Sequence, residues 1–326
     1  MTYRTSFIST MVGVGFVIAW SSGFVGGRLA TETSMPVLAL FAWRFLLASA
    51  LMFAFWLLLN RIRGDRDGVS LYNPTTWQDA GREAFIGALT MGGYLLGVIL
   101  AIEAGVNPAI VALIAALQPL LAAAVAGRWL GERLPARGWA GMALATLGVV
   151  FCVLDDMSRQ GGNVPLWAYA LPLISVLSVT AGSVLAVRWS RARTLPITLT
   201  LTSQLCAATA VFGAAALVAA FWAGDVGYLA PALDTVTISA LVWLIVLSSF
   251  CGYGFFIASL RRLGVTRTSV LVYLTPPVTL IWAAVMFGDK PGLAGVLGML
   301  VASAGVILTL SRQRGHPSWG TERAAV

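Results

Sequence analysis

The 326-residue chain is 59% apolar and only 10% charged, with a mean hydropathy of +0.87, a balance that excludes a water-soluble globular domain. A net charge of +8 could suit nucleic acid, but seventeen of the 21 Lys and Arg fall in one alternate set of segments between apolar runs. That is the pattern of membrane orientation, not of a phosphate-binding face.

At about 20 apolar residues per crossing, the sequence predicts an all-α integral membrane protein with ten transmembrane helices. They cover 7–27, 36–59, 84–102, 108–127, 138–154, 166–187, 196–223, 236–260, 268–287 and 292–310. The loop after the second can hold a short surface helix before residue 84. The first run could be read as a cleaved leader, since Arg4 precedes it and Ser21, Ser22 and Gly23 follow its core. Its length, and the lack of an A-x-A-like site before a soluble segment, favour a retained helix. Cys152, Cys206 and Cys251 all fall in spans, so neither a disulfide framework nor a C-x-x-C metal site is expected.

The amino terminus, the loops after even-numbered helices and the carboxyl terminus hold the seventeen basic residues, against Arg28, Arg159 and Lys290 on the other side. Both termini are therefore expected in the cytoplasm. Arg44, the remaining basic residue, lies inside the second helix.

The chain is duplicated. At an offset of 157, Pro119 pairs with Pro276, Gly131 with Gly288, Glu132 with Asp289, Gly141 with Gly298 and Gly148 with Gly305. At 159, Gly93 and Tyr94 pair with Gly252 and Tyr253; at 160, Arg28 meets Arg188 and Pro36 meets Pro196. Two repeats follow, 7–154 and 166–310, with a cytoplasmic tail at 311–326. Because five helices is an odd number, the second copy enters the membrane in the opposite sense, which yields an inverted repeat of the kind found in transporters.

The helix ends "LQPL…GE" and "TPPV…GD", with "WSSGFVGGR" and "FAWRFLLA" in the first two helices, resemble the drug/metabolite transporter superfamily, EamA type, over nearly the whole chain. Within it the chain is similar to bacterial aromatic amino acid exporters. The resemblance implies efflux of amino acids or related metabolites across the bacterial inner membrane, with helices one to four and six to nine around a cavity. The implied partners are a small-molecule substrate and the bilayer.

Polar and aromatic groups at mid-span need a partner or water, so they are the candidates for substrate contact. In the first repeat these are Trp20, Ser21, Ser22, Trp43, Arg44, Tyr94 and Gln118; in the second, Ser178, Thr180, Ser183, Gln204, Tyr253, Tyr273 and Thr275. Ser and Thr in membrane helices also bond their own backbone, and Trp20 and Trp43 can simply pack. Arg44 lies about 12 Å into its helix at 1.5 Å per residue, so it must face the interior. It can grip a substrate carboxylate or lock neighbouring helices, and the resemblance, whose members with different substrates commonly show an arginine in this second-helix motif, implies the second role, with no partner acid identifiable within a span.

Pro119, Pro276 and Pro277 interrupt their helices and are the candidate hinges. Every Asp and Glu, Glu83 and Glu103 included, is expected in a loop, a terminus or at a helix boundary, which points to facilitated diffusion. No G-x-x-x-x-G-K motif is present to couple ATP, and His316 is the only histidine, so neither an enzyme, a cofactor nor a metal is expected. A multidrug, sugar or nucleotide-type carrier of the same superfamily, or a channel, remains the alternative.

Overall fold

The computed structural model describes residues 2–63, 74–118, 121, 136–159, 164–189, 195–272, 274–288 and 292–310. Helices α1 (Thr2–Thr31) and α2 (Val37–Arg63) are followed by α3 (Pro74–Gly87), which passes through a π-helical segment, Ala88–Gly93, into α4 (Tyr94–Glu103). Next come α5 (Pro108–Ala115), α6 (Ala136–Arg159), α7 (Leu166–Trp189) and α8 (Ile197–Ala223). Helix α9 (Thr235–Trp243) continues through a second π-helical segment, Leu244–Tyr253, into α10 (Gly254–Val272), and α11 (Thr275–Phe287) and α12 (Leu293–Leu310) complete the chain.

Six helices, 8–31, 37–62, 77–103, 166–186, 197–223 and 235–263, are long and apolar enough to cross a bilayer, and shorter apolar helices occupy 139–155, 275–287 and 296–305. There is no strand among the described residues. Outside the described residues lie Pro119, Tyr273, Gly131, Glu132, Asp289 and the tail, so the hinge, substrate and tail expectations placed there are not addressed.

The helices pack as an inverted pair. At the α1 contact Gly23 faces Ser248 and Gly252 faces Ala19; at the matching contact of the other copy, Gly182 faces Leu89 and Thr90, and Gly93 faces Ser178. Both crossings are antiparallel, and the offset of 159 carries one onto the other. The two π-helical segments fall at corresponding places, ending next to Tyr94 and at Tyr253. Such widened turns in helices frequently mark functional sites. Helices α2 and α8 also cross antiparallel, with Phe41 and Phe45 on Phe212 toward one end and Trp56 on Leu195 and Leu199 toward the other.

The glycines that reveal the duplication in sequence also join α6 to α12. A Cβ on Gly148 would lie 2.4 Å from the Ala302 nitrogen, and one on Gly305 would lie 2.4 Å from the Ala145 nitrogen. Close backbone approach of this kind is how membrane helices associate where lipid offers no hydrophobic driving force. Gly148→Leu is therefore expected to lower the thermal midpoint in detergent, at an overpacking cost of about 1–3 kcal/mol. Gly213→Ala on α8, where no described atom lies within 4 Å, is expected to leave it unchanged or to raise it slightly, since Ala is the better helix former by about 0.5–1 kcal/mol. Melting of both variants by size-exclusion fluorescence checks the contrast.

Two expected boundaries move. The third span begins at Pro74, not at residue 84, because a proline suits the first turn of a helix and the amphipathic stretch after it packs on α7 and α8. Helical hydrogen bonding also runs through the expected loop 261–267. The chain still reverses there. Gly26, Gly23 and Gly15 meet Leu244, Ser248 and Phe255 in antiparallel order, whereas Gly13, Ser21 and Arg28 meet Leu271, Thr275 and Phe287 in parallel order.

One end of the bundle, here the terminal face, holds the start of α1, the end of α2 and the start of α3. The opposite face is bridged between repeats. The Ser34 hydroxyl donates to Asp234 at 2.7 Å, and the Trp43 indole N–H donates to the Leu229 carbonyl at 2.9 Å. Hydrogen bonds from Thr237 and Ser34 hold the Asp234 carboxyl well below the usual carboxylate range.

Candidate functional site

Three aromatic residues from the two repeats meet at the centre of the bundle. The Trp20 ring stacks on Tyr94 with centroids 5.6 Å apart and meets Tyr253 edge-on at 5.1 Å. These three, with Gly23, Phe24 and Ser248, line a cavity of about 20 Å³. The Tyr253 hydroxyl donates to the Thr90 carbonyl at 3.2 Å, tying the end of one π-helical segment to the other. A space of this size holds about one water, so the three rings and their hydroxyls pack mainly on one another. None of the residues lining this cavity is a carboxylate.

Behind Ser248 lies Arg44, wholly buried. Its Nη2 donates to Ser248 Oγ at 2.7 Å and its Nε to Ser249 Oγ at 3.1 Å. The guanidinium carbon sits 4.9 Å and 4.6 Å from the Phe41 and Phe45 ring centroids, which supply the negative face that a buried cation needs. Nη1 has no hydrogen-bond partner among the described residues. The serine pair is absent from the sequence-based candidates, although two adjacent hydroxyls at the depth of Arg44 are a readable signal.

The other candidates scatter. Ser21 donates to the Val17 and Thr275 carbonyls, Ser22 to Ala19, Ser183 to Val179 and Ser178 to Leu89, so these hydroxyls bond backbone. Thr180 is buried, its hydroxyl without a partner among the described residues, and Gln118 is buried beyond the end of α5. Trp43 is on the opposite face against Leu229, away from the aromatic cavity.

Thr275 donates to the Val272 carbonyl at 2.6 Å. That carbonyl would otherwise accept from residue 276, a proline with no N–H. Pro276 and Pro277 thus stand in the first turn of a new helix, α11, and the break itself falls between Val272 and Thr275. Helix α5 ends at Ala115, before Pro119.

A second cavity, of about 50 Å³, opens toward the terminal face between α3, α8 and α10. Gln204, placed by the sequence with the central site, lies here instead, its amide donating to Glu83 Oε2 at 2.8 Å. This corrects the expectation that Glu83 sits at a loop boundary: with α3 starting at Pro74, Glu83 is inside the helix and half-buried. Arg261, counted with the loops, donates from Nη2 to the Thr200 hydroxyl at 2.9 Å across the same cavity. Hydropathy hides both residues because each lies where an apolar run begins or ends. Phe256 lines this cavity and also touches Trp20 at 4.9 Å, so it forms the wall between the two.

An all-helical bundle of two inverted repeats, closing on a cavity shared between them, is the architecture of a multi-pass membrane transporter. The chain belongs to the EamA-like transporter family, whose model matches residues 8–154 and again 166–311. Among curated proteins it is 27% identical over 210 residues to a probable amino-acid metabolite efflux pump of Salmonella typhimurium, covering 64% of this chain and 67% of that one. A protein of known crystal structure superposes with a TM-score of 0.62 at 20% identity, over 93% of this chain and 97% of that one, and so shares the fold.

Proposed function

We propose that this transporter exports aromatic or neutral amino acids, or related small metabolites, across the bacterial inner membrane by alternating access, with both termini in the cytoplasm. The observation that carries this reading is the lining shared between the repeats, Trp20, Tyr94 and Tyr253 with Ser248 held by Arg44, around a space of about 20 Å³ that admits one water and must widen as the repeats part to take substrate. Such a lining favours an apolar or aromatic substrate side chain over a charged one. The name of the Salmonella relative points the same way. The seventeen-to-three distribution of basic residues supports the orientation.

Transport is passive on this reading. The central cavity has no acid in its lining, and Glu83 is eleven residues before Tyr94 on one continuous helix, about 16 Å away along its axis. In proteoliposomes, radiolabelled phenylalanine, tryptophan or leucine is expected to equilibrate without a proton gradient and to show counterflow. Persistent accumulation driven by an imposed pH step would overturn the passive mechanism. Flux without saturation or counterflow would instead identify a channel.

A further inference from the structure

The cavity at the terminal face carries one carboxylate and one guanidinium, and nothing in the central site uses either. Glu83 is held by Gln204, and Arg261 by Thr200. Gln204 and Thr200 are both buried, at 4% and 1% exposure, and stand four residues apart on one face of α8. The two residues that hold the charges are thus spaced about 6 Å along that helix, one turn's rise. Glu83 and Arg261 line the same cavity without closing into an ion pair among the described residues. Phe256 and Ile257 supply the apolar wall of the same cavity, on the side facing the aromatic centre.

We infer that this vestibule is a second binding site, which recognises the zwitterionic head of an α-amino acid before it reaches the central cavity, with Glu83 facing the ammonium and Arg261 the carboxylate. The inference rests on the proposed amino acid transport and names the groups that would read its substrate. A dipolar head placed between two opposite charges satisfies both at once. An amine offers nothing to Arg261 and repels it, while a carboxylic acid does the same to Glu83. The guanidinium fork suits the planar carboxylate, and the side chain of the substrate lies along Phe256. Two anchors held by buried neighbours keep this geometry in place before substrate arrives.

The test uses the purified full-length protein, phenylalanine as the probe, and phenethylamine and 3-phenylpropionate as analogues lacking the carboxylate or the ammonium. Wild type is expected to bind phenylalanine at least about tenfold more tightly than either analogue, as charge-assisted pairing at both ends requires. Arg261→Gln is expected to weaken phenylalanine binding by about tenfold and to erase the discrimination against phenethylamine alone. Glu83→Gln is expected to erase the discrimination against 3-phenylpropionate alone. This crossed pattern cannot come from general loss of fold, and should Arg261→Gln not fold, the isosteric Glu83→Gln decides by itself.

If wild type binds phenylalanine and shows counterflow while both variants keep its affinity and both discriminations, the vestibule site is overturned and amino acid transport stands. If wild type neither binds nor exchanges phenylalanine, tryptophan or leucine, the transport reading falls and this inference falls with it.

Discussion

Arg44→Ala is expected to lose about 3 kcal/mol of stability and to melt well below the parent in detergent, because it removes two charge-assisted hydrogen bonds and two ring contacts together. Those contacts join α2 to the second π-helical segment through Ser248 and Ser249. The cation is held by hydroxyls and aromatic faces, with no carboxylate hydrogen-bonded to it among the described contacts. Arg44→Lys is expected to recover part of the loss, since an ammonium has the charge but not the fork that reaches both serines from Nε and Nη2. The decisive control is Arg44→Met. Burying a charge is costly enough that an apolar replacement of similar volume can equal or exceed the parent in stability. If Arg44→Met melts at or above the parental temperature yet no longer transports, the arginine is there for substrate, with the unpartnered Nη1 as the group offered. If it melts low, the residue is a lock between the repeats.

Restoring the amides at the break with Pro276→Ala and Pro277→Ala is expected to slow transport by about tenfold to a hundredfold while changing substrate affinity little. Each backbone hydrogen bond restored across the break is worth about 0.5–1.5 kcal/mol, two of them together about 1–3, and each 1.36 kcal/mol is tenfold in rate. In the parent, the Val272 carbonyl is held by the Thr275 hydroxyl, and the Thr275 carbonyl by Ser21 of α1. These side-chain bonds can exchange as the two half-helices tilt, whereas a backbone bond from residue 276 to Val272 would join them into one rod. Rates from proteoliposome exchange, set beside equilibrium binding on the same preparations, separate motion from recognition. A folded double variant that exchanges at the parental rate shows that the break only shapes the cavity.

Much of the design is legible in the sequence because it is written in one-dimensional signals. Hydropathy follows the bilayer thickness, and the pairs Gly93 with Gly252, Tyr94 with Tyr253 and Gly148 with Gly305 survive in the chain as spacings. In the structure Gly148 and Gly305 stand where helix backbones touch, while Gly93 faces the Ser178 side chain and Gly252 the Ala19 carbonyl of a neighbouring helix. Trp20, Tyr94 and Tyr253 could be singled out because an aromatic residue with a polar tip at mid-span is conspicuous by itself. The sequence alone therefore determined the membrane class and the two inverted repeats; it marked Tyr94 and Tyr253 by their repetition beside a glycine, but not that they meet Trp20.

Which residues face one another was decided only by the tertiary structure, because a helix presents a new face every residue and hydropathy does not say which neighbour that face meets. Trp43 and Arg44 are adjacent in sequence, yet one bonds Leu229 at the opposite face and the other the buried serines. Gln204 is the sequence counterpart of Arg44, but it turns to Glu83 because α3 begins ten residues earlier than its apolar run and passes close beside α8. The two π-helical segments have no composition that announces them. They arise where two copies of the same helix must each widen a turn to bring a tyrosine and its neighbours into the shared centre, a demand that exists only once the helices are packed.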